Sequence, residues 1–514
     1  VYICMIMAGE NHRGTRIAKN TLMLYFRMLF LMFLGLFTSR IVLQALGESD
    51  FGIYNVVGGV VAMFSVISGS LTTAISRFIT FELGKGSNAR LGAVYSTAVT
   101  VQIILSAIII LLAEPCGLWF IDNKMNIDPD KVTAARWVLH FSLLSFVVNL
   151  MSVPQMAAIT AHEKMSAYAY IGILDGLLRL GTALIISRCA SERLVLYSAL
   201  MLLTVLIVRV CYVFYCRAHF PMCRYKPVYD RKLLKEMFSF AGWDFIGTTS
   251  GVLRDQGGNI LVNVFFGTVM NAARGVAVQL SSAVQGFVTN FMTAVNPQIT
   301  KSYASGDHQY TFSLVRKASR MSYYLLFVFA LPLLFSTEFV LDLWLKDVPA
   351  DTVAFVRLFL VFSLSESLAR PMITTLLAHG DIRNYQIIVG GLQLLNLPVS
   401  YLLLRMGCPA QITVVVSIVI SQICLMVRLM IMKRQMNFPV GDFLLRVYVN
   451  IVTVTAASVI IPFIVCNRLP QTLAGELVSL SVVLLSAAAS IYFVGCSAGE
   501  RKYILSFLFK RYRS

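Results

Sequence analysis

Charge is what this chain has least of. Only 13% of its 514 residues are Asp, Glu, Lys or Arg, against 58% hydrophobic ones, and the mean hydropathy is +0.76. Soluble domains carry about 25% charged residues, so a soluble protein with a merely large core is excluded. Long segments of alternating polarity are also missing, which excludes an outer-membrane barrel. The ten cysteines form no C-x-x-C and no His/Cys cluster of zinc spacing; they read as small apolar filler. No Walker-type phosphate loop occurs, which argues against direct use of ATP. Val1–Ala8 lacks the basic leader and the apolar length of a cleavable signal, and none is expected.

What the chain does have is a succession of apolar runs near the ~20 residues a helix needs to cross hydrocarbon. Fourteen spans are predicted: 21–45, 52–76, 91–113, 137–160, 166–187, 194–216, 238–264, 270–296, 318–337, 353–378, 385–405, 410–432, 445–466 and 476–496. The expected class is an all-α polytopic membrane protein. An even number of spans puts both termini on one side. Most of the 43 Lys and Arg residues fall in one set of alternate loops, and that set is therefore assigned to the cytoplasm.

The same distribution disposes of the formal +18 charge as a nucleic-acid signal. The excess is spread over the N-terminus (Arg13, Arg16, Lys19), the middle (Arg217, Arg224, Lys226, Arg231, Lys232, Lys235) and the tail (Arg501, Lys502, Lys510, Arg511, Arg513). Topology and membrane-surface contact account for such spacing. The tail Tyr503–Arg513 mixes apolar and basic residues as a segment lying on the surface would.

The stretch Leu36–Gly86 occurs twice in outline. Shifted by 220 positions, Gly47 falls on Gly267, Thr73-Ala74 on Thr293-Ala294, Ile79-Thr80 on Ile299-Thr300 and Gly86 on Gly306. Shifted by 217, Pro154, Ala161-His162 and Tyr168 fall on Pro371, Ala378-His379 and Tyr385. Shared order at a nearly constant offset indicates a duplication. The expected organisation is a cytoplasmic N-terminus (1–20), a six-helix bundle (21–216), a basic cytoplasmic linker (217–236), a second six-helix bundle (237–433), and two extra helices with a basic cytoplasmic tail (434–514). Six helices per half give both halves the same orientation, with a pseudo-symmetry axis along the membrane normal.

Charges inside the spans are the candidate functional groups, because an arginine at depth costs about 2.5–3.5 kcal/mol on insertion scales and must face protein, water or a ligand. Arg27 and Arg40 lie in the first span. Asp175 and Arg179, and again Glu366 and Arg370, are acid-then-arginine at a spacing of four, which places each pair on one helical face. They read either as neutralising pairs or as titratable coupling groups released when the arginines engage something else. Gly172-x-x-x-Gly176 is expected to admit a neighbouring backbone. The seventh span carries Asp244, Arg254, Asp255 and several glycines, and is expected to be bent or broken. Arg254 and Asp255 adjoin in sequence and are expected to diverge, with at least one pointing into a cavity. The eighth span carries Arg274, Gln279, Gln285, Asn290 and Asn296, read as the lining of a wet cavity in preference to interhelical glue. Pro154 and Pro371 are expected to kink their helices at matched depths. Asp128-Pro129-Asp130 sits in an external loop and reads as a turn.

Leu46-Gly47, Phe51-Gly52-Ile53-Tyr54-Asn55 and Arg77-Phe78, then Phe266-Gly267, Asn271-Ala-Ala-Arg274-Gly275 and Asn296-Pro297-Gln298-Ile299, together with Leu343-Trp344-Leu345, give the chain a family likeness. It resembles the Wzx-type flippases of bacterial polysaccharide biosynthesis, the O-antigen and capsule translocases of the MOP superfamily that also holds the MATE exporters and the lipid II flippase. The resemblance implies a V-shaped pair of six-helix bundles around a central cavity in the bacterial cytoplasmic (inner) membrane. It implies alternating access for undecaprenyl-pyrophosphate-linked oligosaccharide, with membrane lipids and polysaccharide polymerase machinery as partners and a monomeric state. By position Arg27 and Arg274 resemble cationic cavity residues of lipid-linked-glycan flippases; Arg40 and Arg254 are added without a motif match. The cation site of sodium-coupled relatives finds no match, so coupling to H+ or Na+ stays open, and no cofactor is expected.

The arginines suit that cargo on physical grounds as well. A pyrophosphate cannot cross hydrocarbon bare, and guanidinium groups offer bidentate, charge-assisted replacement for its water. A membrane enzyme, such as a polysaccharide polymerase or acyltransferase, is disfavoured by the lack of a long external loop. The six histidines (His12, His140, His162, His219, His308, His379) also contain no His-x4-Asp. A MATE-like cation-coupled exporter of small molecules is the alternative, and an arginine-lined cavity should repel cationic drugs.

Overall fold

Within hydrocarbon a backbone N–H or C=O has no water to turn to, and a helix is the element that satisfies all of them internally. The computed structural model follows that rule throughout. It describes residues 12–62, 65–86, 88–123, 125, 127, 129–189, 192–226, 230–345, 348, 351–466 and 472–501, and no strand occurs among the described residues. Asp128 and the tail Tyr503–Arg513 lie outside them.

In chain order the helices are α1 (His12–Ala62), α2 (Ser65–Lys85), α3 (Asn88–Asn123), α4 (Val132–Ala161), α5 (Met165–Arg188), α6 (Arg193–His219) and the long α7 (Arg231–Ala304). There follow α8 (His308–Phe335), α9 (Thr337–Trp344), α10 (Thr352–His379), α11 (Arg383–Leu394), α12 (Asn396–Arg405) and α13 (Ile412–Met436). The last are α14 (Val440–Phe443), α15 (Asn450–Cys466) and α16 (Leu473–Ser490), with π-helical turns at Leu444–Val449 and Ile491–Gly495.

Among the described residues, 11 helices are long and apolar enough to cross a membrane. They coincide with predicted spans. The other three predictions, 52–76, 238–264 and 270–296, fall on α1 to α2 and on α7, where glycines and polar side chains dilute the apolar content.

The two short interruptions expected near positions 46–51 and 265–269 are present, each narrowed to a single glycine where two helices meet. The chain passes Gly47 and Gly267 as kinks within otherwise helical stretches, with φ/ψ of 76/170° and 81/−171°. This corner of backbone space is essentially restricted to glycine. The two residues are the pair related by the 220-position shift. Gly86 and Gly306, the next such pair, both have positive φ, 73° and 79°. Under the 217-position shift, Glu163 (φ 59°) and Gly380 (φ 98°) both turn left-handed just past α4 and α10.

The seventh span is not broken at its own glycines. Within α7 the backbone leaves helical geometry at Gly267 instead. The glycines between 247 and 258 accept close neighbours: a Cβ at Gly247 would meet Gln386, and one at Gly257 would meet Leu397. Pro154 and Pro371 lie inside continuous helices.

The chain divides into two compact units, one of residues 23–245 and one of residues 246–514 with the segment before position 23. In the first, α4 packs against α6, α3 and α2, and α5 against α6. An apolar cluster of Ile53, Val57, Val61, Val138, Leu139 and Leu194 joins α1 to α4 and α6. In the second, α10 packs against α8 and α13, α11 and α12 against α13, and the late helices α15 and α16 against each other, with α16 also against α8. The partnerships α3·α4 and α4·α6 thus recur as α8·α10 and α10·α13, between elements that the two sequence shifts relate.

Candidate functional site

In the unit of residues 23–245, Arg27 enters the bundle from α1. Its guanidinium carbon lies 4.4 Å from the centroid of the Tyr168 ring. The Nε is buried and has no hydrogen-bond partner. Room for it comes from Gly172 on α5, where a Cβ would stand 2.2 Å from that Nε. The glycine pair therefore receives side chains and not a neighbouring backbone, because Gly176 is filled in the same way by Leu31 and Leu34. Arg40 is exposed, and no ion pair reaches it among the described residues.

Asp175 and Arg179 do pair, Nε donating to both carboxylate oxygens at 3.0 and 3.1 Å. Helical spacing of four made this contact available. Asp244, at the α7 end of this unit, is 6% exposed. Its neighbour on α2 is Ser70.

In the unit of residues 246–514, Arg254 and Asp255 do not diverge as their adjacency led us to expect. Arg254 Nε donates to Asp255 Oδ1 at 2.8 Å and Nη2 to Oδ2 at 3.3 Å. The long arginine stem curls back on its neighbour, which leaves Asp255 more open than Arg254, at 61% and 13% side-chain exposure.

Arg274 is sealed. It is 5% exposed, and it donates to Asn259 Oδ1 at 2.7 Å, Thr413 Oγ1 at 3.3 Å and the Asp255 carbonyl at 3.3 Å. The Phe359 ring lies 5.1 Å away. Again a glycine makes the space: a Cβ at Gly258 would be 2.7 Å from Nη2. Engagement of a ligand by Arg274 would require these bonds to exchange.

Glu366 and Arg370 form no direct ion pair. Glu366 Oε1 accepts from Ser421 Oγ at 2.5 Å, and its charged neighbours are Arg428, Arg254 and Arg370. Arg370 Nη2 donates instead to Gln285 Oε1 at 3.3 Å. Arg428, on α13, was not expected from the sequence. It is 1% exposed and ranks among the largest fully buried side chains, with Nε and Nη1 unbonded and Tyr385 and Glu366 beside it. Its position inside the span 410–432 was the available signal, masked by the basic run Lys433-Arg434 that follows.

The polar residues of the eighth span are largely glue. Gln285 Nε2 donates to Ser363 Oγ at 2.7 Å, and Asn296 Oδ1 accepts from Thr374 Oγ1 at 2.9 Å, both across to α10. Asn290 bonds within its own helix to the Gly286 carbonyl at 2.9 Å. Only Gln279 among the four is exposed. A seam of serines continues the contact, with Ser281 to Ser363 at 2.6 Å and Ser365 to Ser421 at 2.9 Å. Buried hydroxyls and amides must be paired in this setting, and a neighbouring helix supplies the partners.

The arrangement within this unit is four arginines (254, 274, 370, 428) around two carboxylates (255, 366). Such a group carries surplus positive charge in a place where each charge needs compensation. No cluster of His, Cys, Asp and Glu suited to a metal ion occurs among the described residues.

With the geometry in view, comparison with known proteins is informative about the fold. No protein-family model matches the chain. It is similar to the uncharacterized membrane protein EpsK of Bacillus subtilis (strain 168), 20% identical over 292 residues, which cover 57% of this chain and 58% of that protein's length. Among solved structures it is similar to an outward-facing multidrug resistance MATE family transporter of the MOP superfamily, at a TM-score of 0.71 and 12% identity, covering 84% of this chain and 98% of that one. A MOP superfamily transporter from Pyrococcus furiosus is also similar, at a TM-score of 0.67 and 12% identity over the same shares. The fold is that of the MATE transporters.

Proposed function

We propose that the chain is a flippase carrying undecaprenyl-pyrophosphate-linked oligosaccharide, an O-antigen, capsule or exopolysaccharide unit, from the inner to the outer leaflet of the bacterial cytoplasmic membrane by alternating access. The observation that carries this reading is the surplus of arginine over carboxylate inside the 246–514 unit, together with the unbonded Nε of Arg27 in the other. A guanidinium with spare donors is suited to a diphosphate, which presents several acceptor oxygens in reach of a planar fork. Of the Pyrococcus furiosus transporter it is said that a reversed polarity of its binding pocket suggests a different function; we bring the same reasoning to the arginine surplus here.

Direction would come partly from the membrane potential. Outward movement of negative charge is assisted by an inside-negative potential by about 2.3 kcal/mol per charge per 100 mV. Asp175, Asp244, Asp255 and Glu366 are the carboxylates available to couple H+ or Na+. The chain would act as a monomer, delivering its product to polysaccharide polymerase machinery.

The competing reading is export of small cationic molecules, also compatible with the fold. Proteoliposomes decide between them. A labelled lipid-linked oligosaccharide should change leaflet in the presence of the protein while a cationic dye is not expelled; dye expulsion without glycan movement would overturn the proposal.

A further inference from the structure

A second basic site lies where α8, α15 and α16 meet, and its lining shares no residue with the arginines above. A cavity of about 390 Å³ opens there. Arg316, Lys317 and Arg320 of α8 line it together with Arg446 from the π-helical turn Leu444–Val449. Two carboxylates oppose these four cations. Asp442 lies 3.4 Å from Arg316 and 3.7 Å from Arg446, and Glu500 pairs with Arg320. Lys317 is exposed and has no ion pair among the described residues. The Nε of Arg320 is buried without an acceptor.

The cavity is built into the fold. Both α15 and α16 adjoin π-helical turns at this level, Leu444–Val449 and Ile491–Gly495; such turns are rare and occur often at functional sites. Tyr324 donates to Asn450, whose Nδ2 donates to the Val494 carbonyl at 3.4 Å. Gly495 leaves space for the phenol, since a Cβ there would be 2.7 Å from Tyr324 Oη. The three helices are thereby tied behind the cavity while its mouth stays open.

An apolar stripe continues from the cations. Leu445 and Val449 on the π-helical turn and Val452 in the first turn of α15 are all exposed. Surplus positive charge beside an exposed apolar stripe matches an amphiphile with an anionic head. Free phosphate would use the first feature and leave the second without a role. Basic clusters between membrane helices on the cytoplasmic side are suited to such headgroups, and the loops at this end belong to the basic set assigned to the cytoplasm.

We propose that this cavity binds the phosphate headgroup of an anionic phospholipid, its acyl chains lying along Leu445, Val449 and Val452. The site is separate from the cargo arginines, so either reading can fail alone.

The test uses the full chain, stripped of lipid in detergent and titrated with phosphatidylglycerol or phosphatidylcholine under native mass spectrometry. Phosphatidylglycerol should be retained at least tenfold more tightly than phosphatidylcholine. The variant K317Q/R446Q, altered at exposed positions, should lose that preference, and K317R/R446K should keep it. Inorganic phosphate should compete only weakly. Equal retention of the two lipids by the native chain would overturn the proposal whether or not the variants fold. Undiminished phosphatidylglycerol binding by folded K317Q/R446Q, or displacement by phosphate at equal affinity, would overturn it too.

Discussion

Gly172 and Arg27 share one space: a Cβ at the glycine would stand 2.2 Å from the arginine's Nε. The two residues are on different helices, and the absence of a side chain on α5 is what lets the cation lie against Tyr168. In the other unit a Cβ at Gly258 would likewise crowd a guanidinium, at 2.7 Å from Arg274 Nη2, here with both residues on α7, on either side of its Gly267 kink.

Gly172→Ala should therefore displace the Arg27 guanidinium while leaving the bundle folded, because the colliding atoms are the end of a flexible side chain. We expect a thermal midpoint close to native and a fall of about tenfold in glycan translocation, equivalent to ~1.4 kcal/mol. Gly35→Ala, in open space, should alter neither. A large drop in midpoint for Gly172→Ala with full activity per folded molecule would contradict this.

The kinks make a separate prediction. Gly47→Ala and Gly267→Ala each place a Cβ in a backbone conformation that costs a non-glycine residue on the order of 1–3 kcal/mol. Open space surrounds both positions, so the whole effect is backbone strain. Gly52→Ala, on a helical stretch with nothing within 4 Å, should instead be neutral or stabilising by up to about 1 kcal/mol. Denaturation of the three variants in one detergent compares them directly, and equal midpoints would refute the kink geometry.

Glu366 and Arg428 should prove energetically coupled. Glu366→Gln leaves three arginines short of a counter-charge, and Arg428→Met leaves the carboxylate with fewer partners. Each single change should destabilise, and the double variant should be milder than their sum by about 0.5–3 kcal/mol, the range for contacting residues in one network. Strict additivity would mean that the two do not interact.

Much of this architecture was legible in the sequence. Long apolar runs give helices because hydrocarbon permits little else, and the 220-position shift paired Gly47 with Gly267, the two glycines at which the backbone leaves helical geometry. Each interruption is shorter than the gap between the predicted spans, since a polar stretch such as Gly47-Glu48-Ser49-Asp50 carries the same composition whether a helix ends or one glycine bends it. The site was harder to read. Gly172 stood out, but its partner is 145 positions away in sequence and is a side chain, which local spacing cannot identify. Arg428 was hidden by the basic residues that follow it. Gln285 and Asn296 were expected to line a cavity, yet amides pair with whatever hydroxyl the next helix offers, and the sequence of one helix does not name its neighbour's.

The most direct test of the account is the rate at which a labelled pyrophosphate-linked oligosaccharide lipid changes leaflet in proteoliposomes holding Arg27→Ala or Arg274→Gln protein, each first confirmed to be folded. The account predicts a loss of at least tenfold for both. Translocation at the native rate by either folded variant would contradict the assignment of that arginine to the cargo, and by both would contradict the central claim.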